Sequence, residues 1–362
     1  MKATPVELKR KEDALASGGL TFADAMASPC ATCSTAPCCS SLPLPGFPVE
    51  TLMQVDHARY LLGFDGIELG ISSNGQWSVF YTRPCRFLDT DDRSCTLHGL
   101  PEQPRVCQHY NPYNCWYKRA LVDDVTDEYL RVDECRLAAL LPYLRFDDER
   151  NLVAVPEWAL LQELFAELPL GGSARVDRGV PDDPVGDEWQ AVVLGAAPGR
   201  ADAPVLQVGD GPLADPCSGC AAHCCNHLQF FVEPPTTASS VDYLRFALGF
   251  EGVELGVGDD GWSLILRTTC RHLDGTRCSL YGKEERPLRC RYFDAAHCPY
   301  PYLLGTPQPE GFVRFDLTLW EGFEASLQFD EFGNLLAVPG AGEVRASVED
   351  WWRAKVASSV PE

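Results

Sequence analysis

Residues 60–71 read YLLGFDGIELGI and residues 246–257 read FALGFEGVELGV, identical at seven of twelve positions. Likeness of that degree within one chain marks a duplicated unit, and it extends on both sides of the two stretches. CRFLD at 85–89 returns as CRHLD at 270–274, and FDDERNLVAVP at 146–156 returns as FDEFGNLLAVP at 329–339. A whole folding unit has been copied, not a short metal knuckle. The expected organisation is a lead-in helix over 1–28, a cysteine-cluster domain over 29–160, a linker over 168–213, a second cysteine-cluster domain over 214–345, and a C-terminal helix or tail over 346–362. The linker has no second copy and is rich in Pro, Gly, Asp and Ala, as connecting segments are.

Inside each copy the pattern is α+β, with short helices, β-hairpins and loops that carry the cysteines. ETLMQVDHARYLLG fits an amphipathic helix stopped by Gly63, and SSVDYLRFALG matches it with Gly249 in the same place. QWSVFY and GWSLILR alternate as strands do. LRFDDERNLVAVP and LQFDEFGNLLAVP read as hairpins around polar turns. WQAVVLG (189–195) reads as one strand within the linker.

Composition narrows the class. With 45% hydrophobic and 10% aromatic residues the chain can bury cores, so wholesale disorder is excluded. No apolar run reaches the roughly 18–20 residues of a membrane span, and the charged N-terminus lacks the apolar core of a signal peptide. The expectation is a soluble, cytoplasmic protein without a membrane partner. A net charge of −22 repels phosphate backbones, which disfavours nucleic acid as a partner. A protein partner is left open.

The 17 cysteines carry the chemistry. In a reducing compartment thiols in that number point to metal ligation rather than disulfides. The first copy holds Cys30, Cys33, Cys38, Cys39, Cys85, Cys95, Cys107 and Cys115; the second holds Cys217, Cys220, Cys224, Cys225, Cys270, Cys278, Cys290 and Cys298. Each set opens with a CxxC, whose spacing lets two thiolates reach one ion from a tight turn. A vicinal pair follows. In extended chain adjacent side chains point to opposite sides, so the pair is expected to divide between two centres per repeat or to bridge a multinuclear one. Thiolate ligation selects zinc or iron, including an iron–sulfur cluster.

Cys135 has Thr318 as its counterpart and is expected to be a structural or free thiol. The histidines recur poorly: His98 and His109 align with Tyr281 and Tyr292, and His57 meets no histidine in the second copy. His223, His227, His272 and His297 belong to the second copy alone. Arg86 and Arg271, each directly after a cysteine, could balance thiolate charge or cover a loop carbonyl. Glu68 and Glu254, in the shared GxELG stretch, are expected to cap or pair within the fold.

CATCSTAPCC, CRFLDTDDRSCTLHGLPEQPRVC and QHYNPYNC in the first copy, with CSGCAAHCC, CRHLDGTRCSLYGKEERPLRC and RYFDAAHC in the second, resemble the YkgJ-type cysteine-cluster proteins, the CxxCxxxxCC zinc- or iron-chelating domain. The resemblance spans about 30–155 and 217–340. The usual Arg-Pro before the third late cysteine is Arg286-Pro287 in the second copy but Gln103-Pro104 in the first, and the second copy is one residue shorter before its vicinal pair. What the resemblance implies is metal chelation. The leading expectation is a metal-stapled binding module. Two alternatives stand beside it: an iron-containing enzyme, redox-active or modifying protein as a related group of lysine N-methylases does, and metal storage or delivery. The chain offers no P-loop, no HExxH and no Ser-His-Asp set, and no catalytic residue is assigned.

Overall fold

The computed structural model describes residues 36–89, 91, 94–108, 129–170, 178–183, 222–258, 261–292, 313–340 and 342–350. The chain divides into two compact units, each discontinuous in sequence. Unit 1 takes residues up to Leu62, then Gly66–Arg175 and Asp242–Glu251; unit 2 takes Gly63–Asp65, Val176–Val241 and everything from Gly252. Both combine helices with antiparallel sheet, an α+β arrangement.

Unit 1 is organised on a four-stranded sheet of β1 (Leu42–Phe47), β2 (Ile67–Ser72), β3 (Trp77–Tyr81) and β4 (Tyr129–Val132), in the order β1-β3-β2-β4. The central hairpin β2–β3 is buried along most of its length, as apolar strands at the middle of a covered sheet are. Helix Leu52–Leu62 packs on β2 through Val55, Ala58, Leu61 and Leu62, the stripe its periodicity predicts. Gly70 in β2 is required: a Cβ there would lie 2.7 Å from Cε2 of Phe80.

After β4, Asp133 caps helix Glu134–Leu140 by accepting a bond from the Arg136 amide at 3.0 Å. The Arg136 guanidinium in turn reaches the carbonyls of Phe165 and Leu168, closing the end of helix Trp158–Ala166. The predicted hairpin is present as β5 (Arg145–Phe146) against β6 (Leu152–Ala154).

Unit 2 repeats the strand order. Its sheet of β7 (His227–Val232), β8 (Val253–Gly258), β9 (Gly261–Arg267) and β12 (Val313–Phe315) runs β12-β8-β9-β7, again first-third-second-fourth when read from the other edge. A small hairpin, β10 (Leu273–Asp274) with β11 (Arg277–Cys278), lies between β9 and β12 in sequence. Asp316 caps helix Leu317–Glu324 on the Leu319 amide at 2.9 Å, as Asp133 does in unit 1. Trp320 from this helix is fully buried, edge-on to Trp262 of β9 and Phe315 of β12.

The matched hairpin around 329–339 is held by the bridge Phe329–Leu335, with the Asp330 amide donating to the Asn334 carbonyl at 2.9 Å and the Leu336 amide to the Gln328 carbonyl at 3.0 Å. Its outer edge meets a second segment in the same way in both copies: the Leu335 amide donates to the Thr236 carbonyl at 2.9 Å, as the Leu152 amide does to the Glu50 carbonyl at 2.7 Å. Residues 342–350 are helical, with Val344 and Val348 buried one turn apart. The lead-in over 1–28, the strand expected at 189–195 and residues 351–362 lie outside the described residues. Residues 178–183, from the stretch read as linker, are described and pack within unit 2.

Candidate metal centres

Cysteines from separate places in the sequence come together in each unit: Cys38 and Cys39 with Cys85 and Cys95 in unit 1, and Cys224 and Cys225 with Cys270, Cys278 and Cys290 in unit 2. In unit 1, Ala36 sits at φ 43°, a left-handed conformation costly for a residue with a Cβ. The backbone then turns into helix Pro37–Ser40, which carries Cys38 and Cys39. Ala222 does the same in unit 2 at φ 60°, ahead of the 3₁₀ turn His223–Cys225. The vicinal pairs are therefore on helical turns, not in extended chain. This corrects the expected opposite-facing geometry: helical neighbours diverge by only about 100°, and a hydrogen bond from the neighbouring free thiol lowers Cys38 and Cys224.

A backbone tie brings in the next cysteine. The Cys85 amide donates to the Cys39 carbonyl at 2.6 Å, and the Cys270 amide donates to the Cys225 carbonyl at the same distance. Cys95 bridges Leu88 in unit 1, and Cys278 pairs Leu273 across the β10–β11 hairpin in unit 2. Cys107 and Cys290 stand on the matched short helices Arg105–Gln108 and Leu288–Arg291.

A Gly-Phe turn completes each arrangement. Within unit 1, Cys85 bridges Phe250, and a Cβ on Gly249 would stand 3.4 Å from the Cys85 sulfur. Within unit 2, Cys270 bridges Phe64. The Arg86 guanidinium covers the Leu248 carbonyl at 3.2 Å, at the end of helix Ala238–Leu248, and its charge opposes the upward push that burial gives Cys85. The Arg271 amide bonds the Gly63 carbonyl at 2.8 Å, while its charge acts on Cys270.

The sulfurs of each unit feel one another. In unit 1 the negative charges of Cys38, Cys85 and Cys95 repel; in unit 2 those of Cys224, Cys225, Cys270, Cys278 and Cys290 do. Burial pushes the Cys85 and Cys270 thiols up to about 11 and Cys290 to about 12. The bond from Cys39 lowers Cys38. That from Cys225, helped by the charge of Arg286, brings Cys224 down to about 7 while Cys225 is driven up.

The gatherings do not close into a coordination shell. Among the described residues, no group of three or more His, Cys, Asp or Glu is arranged to hold a metal ion. Six of the expected ligands, Cys30, Cys33, Cys115, Cys217, Cys220 and Cys298, lie outside the described residues, as do His109 and His297. Cys135 is half-buried at the start of helix Glu134–Leu140.

A second polar constellation, not foreseen from sequence, lies in unit 2. Arg314 is held between Asp183 at 2.6 Å and Glu254 at 2.5 Å, and Glu254 also meets Arg267 at 3.3 Å. His227 Nε2 stands 3.0 Å from the same Asp183. Only the GxELG glutamate could have signalled it, and it pairs as expected: Glu68, its counterpart in unit 1, meets Arg131 at 2.7 Å.

Compared with protein-family models, curated proteins and solved structures, the chain matches none of them. Among the described residues no helix is long and apolar enough to cross a membrane.

Proposed function

We propose that each unit is one copy of a duplicated cysteine-rich metal-binding domain, of the YkgJ-like kind, that chelates zinc or iron through clustered thiolates. The observation that carries this reading is the recurrence, in both units, of one thiol arrangement on one backbone scaffold: left-handed alanine, vicinal pair on a helical turn, and an amide-to-carbonyl tie of 2.6 Å to the next cysteine. The donor set suits soft ions, since thiolates select zinc, iron–sulfur clusters and similar centres over hard cations.

The contact within each vicinal pair favours a bridging role, with two centres per repeat sharing that edge. CxxC and the last cysteine of each copy would complete the shells. The metal would then staple loops that little regular structure holds, in a module that serves a protein partner. Exposed apolar residues at one matched place in each copy, Val153 and Val155 in unit 1 and Leu336 and Val338 in unit 2, give such a partner a surface.

The test is metal analysis and an optical spectrum of the full chain purified without oxygen. Stoichiometric zinc, or iron with acid-labile sulfide, is expected, and Cys38→Ser and Cys224→Ser should each lower the content. Full retention in both variants would overturn the ligand set.

A further inference from the structure

Two cysteine-bearing segments of unit 2 leave its sheet side by side. His227 of β7 and Arg267 of β9 are register partners, and past them the pairing runs on from the Thr268 amide to the Asn226 carbonyl at 2.9 Å and from the Cys270 amide to the Cys225 carbonyl at 2.6 Å. Residues 178–183, from the segment that joins the two copies, are fastened to this end of the sheet at several points. Asp183 binds Arg314 at 2.6 Å and stands 3.0 Å from His227 Nε2, while Arg267 Nε donates to the Pro181 carbonyl at 3.1 Å. The segment thus holds both members of the register pair.

Its other hold is on the Cys270 turn. Arg178 donates from Nη2 to the Thr269 carbonyl at 3.2 Å and from Nη1 to the Leu273 carbonyl at 3.3 Å, one on each side of Cys270 in sequence. Its Nε meets the buried Asp65 carboxylate at 3.0 Å, and the Asp65 amide donates to the same Thr269 carbonyl at 3.0 Å. A guanidinium is a rigid planar fork, so three bonds at once fix these groups relative to one another. Unit 1 lacks the matching holds. Ser41 stands where unit 2 has His227, and Thr82 where it has Arg267, with the Thr82 hydroxyl turned to the Gly66 carbonyl at 3.0 Å. Glu251, the counterpart of Asp65, is exposed.

We propose that residues 178–183 are a strap that locks the Cys270 turn in place, so that unit 2 releases a bound soft cation slowly while unit 1 exchanges it readily. This rests on the metal-binding reading above. Arg178 acts through the backbone of the turn and is a positioning residue. One-third exposed, it is the end of the strap that opens first.

Two measurements on the full-length chain test this. Zinc-loaded protein mixed with excess chelator should release the ion in a fast and a slow phase. Arg178→Gln should speed the slow phase by about threefold to tenfold, the scale of charge-assisted bonds partly open to water, and leave the fast phase unchanged. Asp65→Asn should do the same, and the double variant should add little to either single one. In reduced, metal-free protein, hydrogen exchange over residues 270–273 should quicken in Arg178→Gln, with the β8–β9 amides unmoved. A single release phase in the wild type, or a slow phase that neither variant moves, would overturn the proposal while metal binding stands. Unchanged exchange over 270–273 would overturn the strap whether or not metal binds. Protein that takes up no zinc would overturn the metal-binding reading and the slow release with it, and the exchange measurement would still decide the strap.

Discussion

Cys224 and Cys225 are neighbours in sequence with opposite acid–base behaviour. The bond from the Cys225 thiol stabilises a thiolate on Cys224, lowered to about 7, and the same bond keeps Cys225 protonated. Because the Cys224 value is depressed, its reactive form is present above pH 7 and disappears as pH falls below it. In metal-free protein, alkylation of Cys224 by iodoacetamide should reach half its plateau rate near pH 7, with Cys225 inert throughout, as read by peptide mass spectrometry. Arg286→Gln should move that midpoint upward, since it removes a positive neighbour. Gly70 supports a second residue-scale expectation. Gly70→Ala would drive a Cβ into the Phe80 ring and should cost about 1–3 kcal/mol of stability, measured by denaturant unfolding.

At the scale of elements, the charged clasp of unit 2 is the most informative. Arg314 joins β12 to Glu254 on β8 and to Asp183 in the segment before the second copy, and Arg267 of β9 donates to the Pro181 carbonyl. Removing one partner of a buried ionic group leaves the others uncompensated. Arg314→Met should therefore destabilise by about 3–5 kcal/mol. The matched Arg131→Met, whose Glu68 partner keeps a quarter of its surface exposed, should cost less, about 1–3 kcal/mol. Equal losses in urea unfolding would contradict this difference.

The elements legible in the sequence were those with a repeating pattern. Helix Leu52–Leu62 and helix Ala238–Leu248 end at the expected glycines, and β3 and β9 fall on the expected alternations. Strand β1 was not legible because LPLPGF holds two prolines, which a sheet tolerates only at an edge, where β1 lies. Strands β4 and β12 are too short to show a period, and their arginines have meaning only through glutamates some sixty residues earlier. The gathering of thiols could be read from their order. Their geometry could not, because the left-handed turn at Ala36 and Ala222 has no glycine to announce it.

For the molecule as a whole, the boundaries of the compact units do not coincide with those of the sequence copies. Unit 1 needs residues 242–251, and unit 2 needs residues 63–65. A fragment ending at Arg175 lacks Phe250, the bridge partner of Cys85, and Tyr243, whose hydroxyl donates to the Pro43 carbonyl at 3.1 Å. Fragment 1–175 alone should show a broad, low-amplitude thermal transition by circular dichroism, and mixing it with fragment 176–362 should recover cooperativity. A sharp transition for fragment 1–175 alone would show that the Gly-Phe turn is dispensable.

That same turn sets an order of events during synthesis. A protein made of two self-sufficient copies could finish its N-terminal half while the C-terminal half was still being translated. Here the cysteines of unit 1 leave the ribosome long before Phe250 does, and Cys85 waits for it. Unit 2, by contrast, finds its Phe64 already made when Cys270 emerges. The nascent chain therefore carries an exposed set of thiols across the translation of the whole linker, an interval in which a metal donor, or an oxidant, has its best access to them.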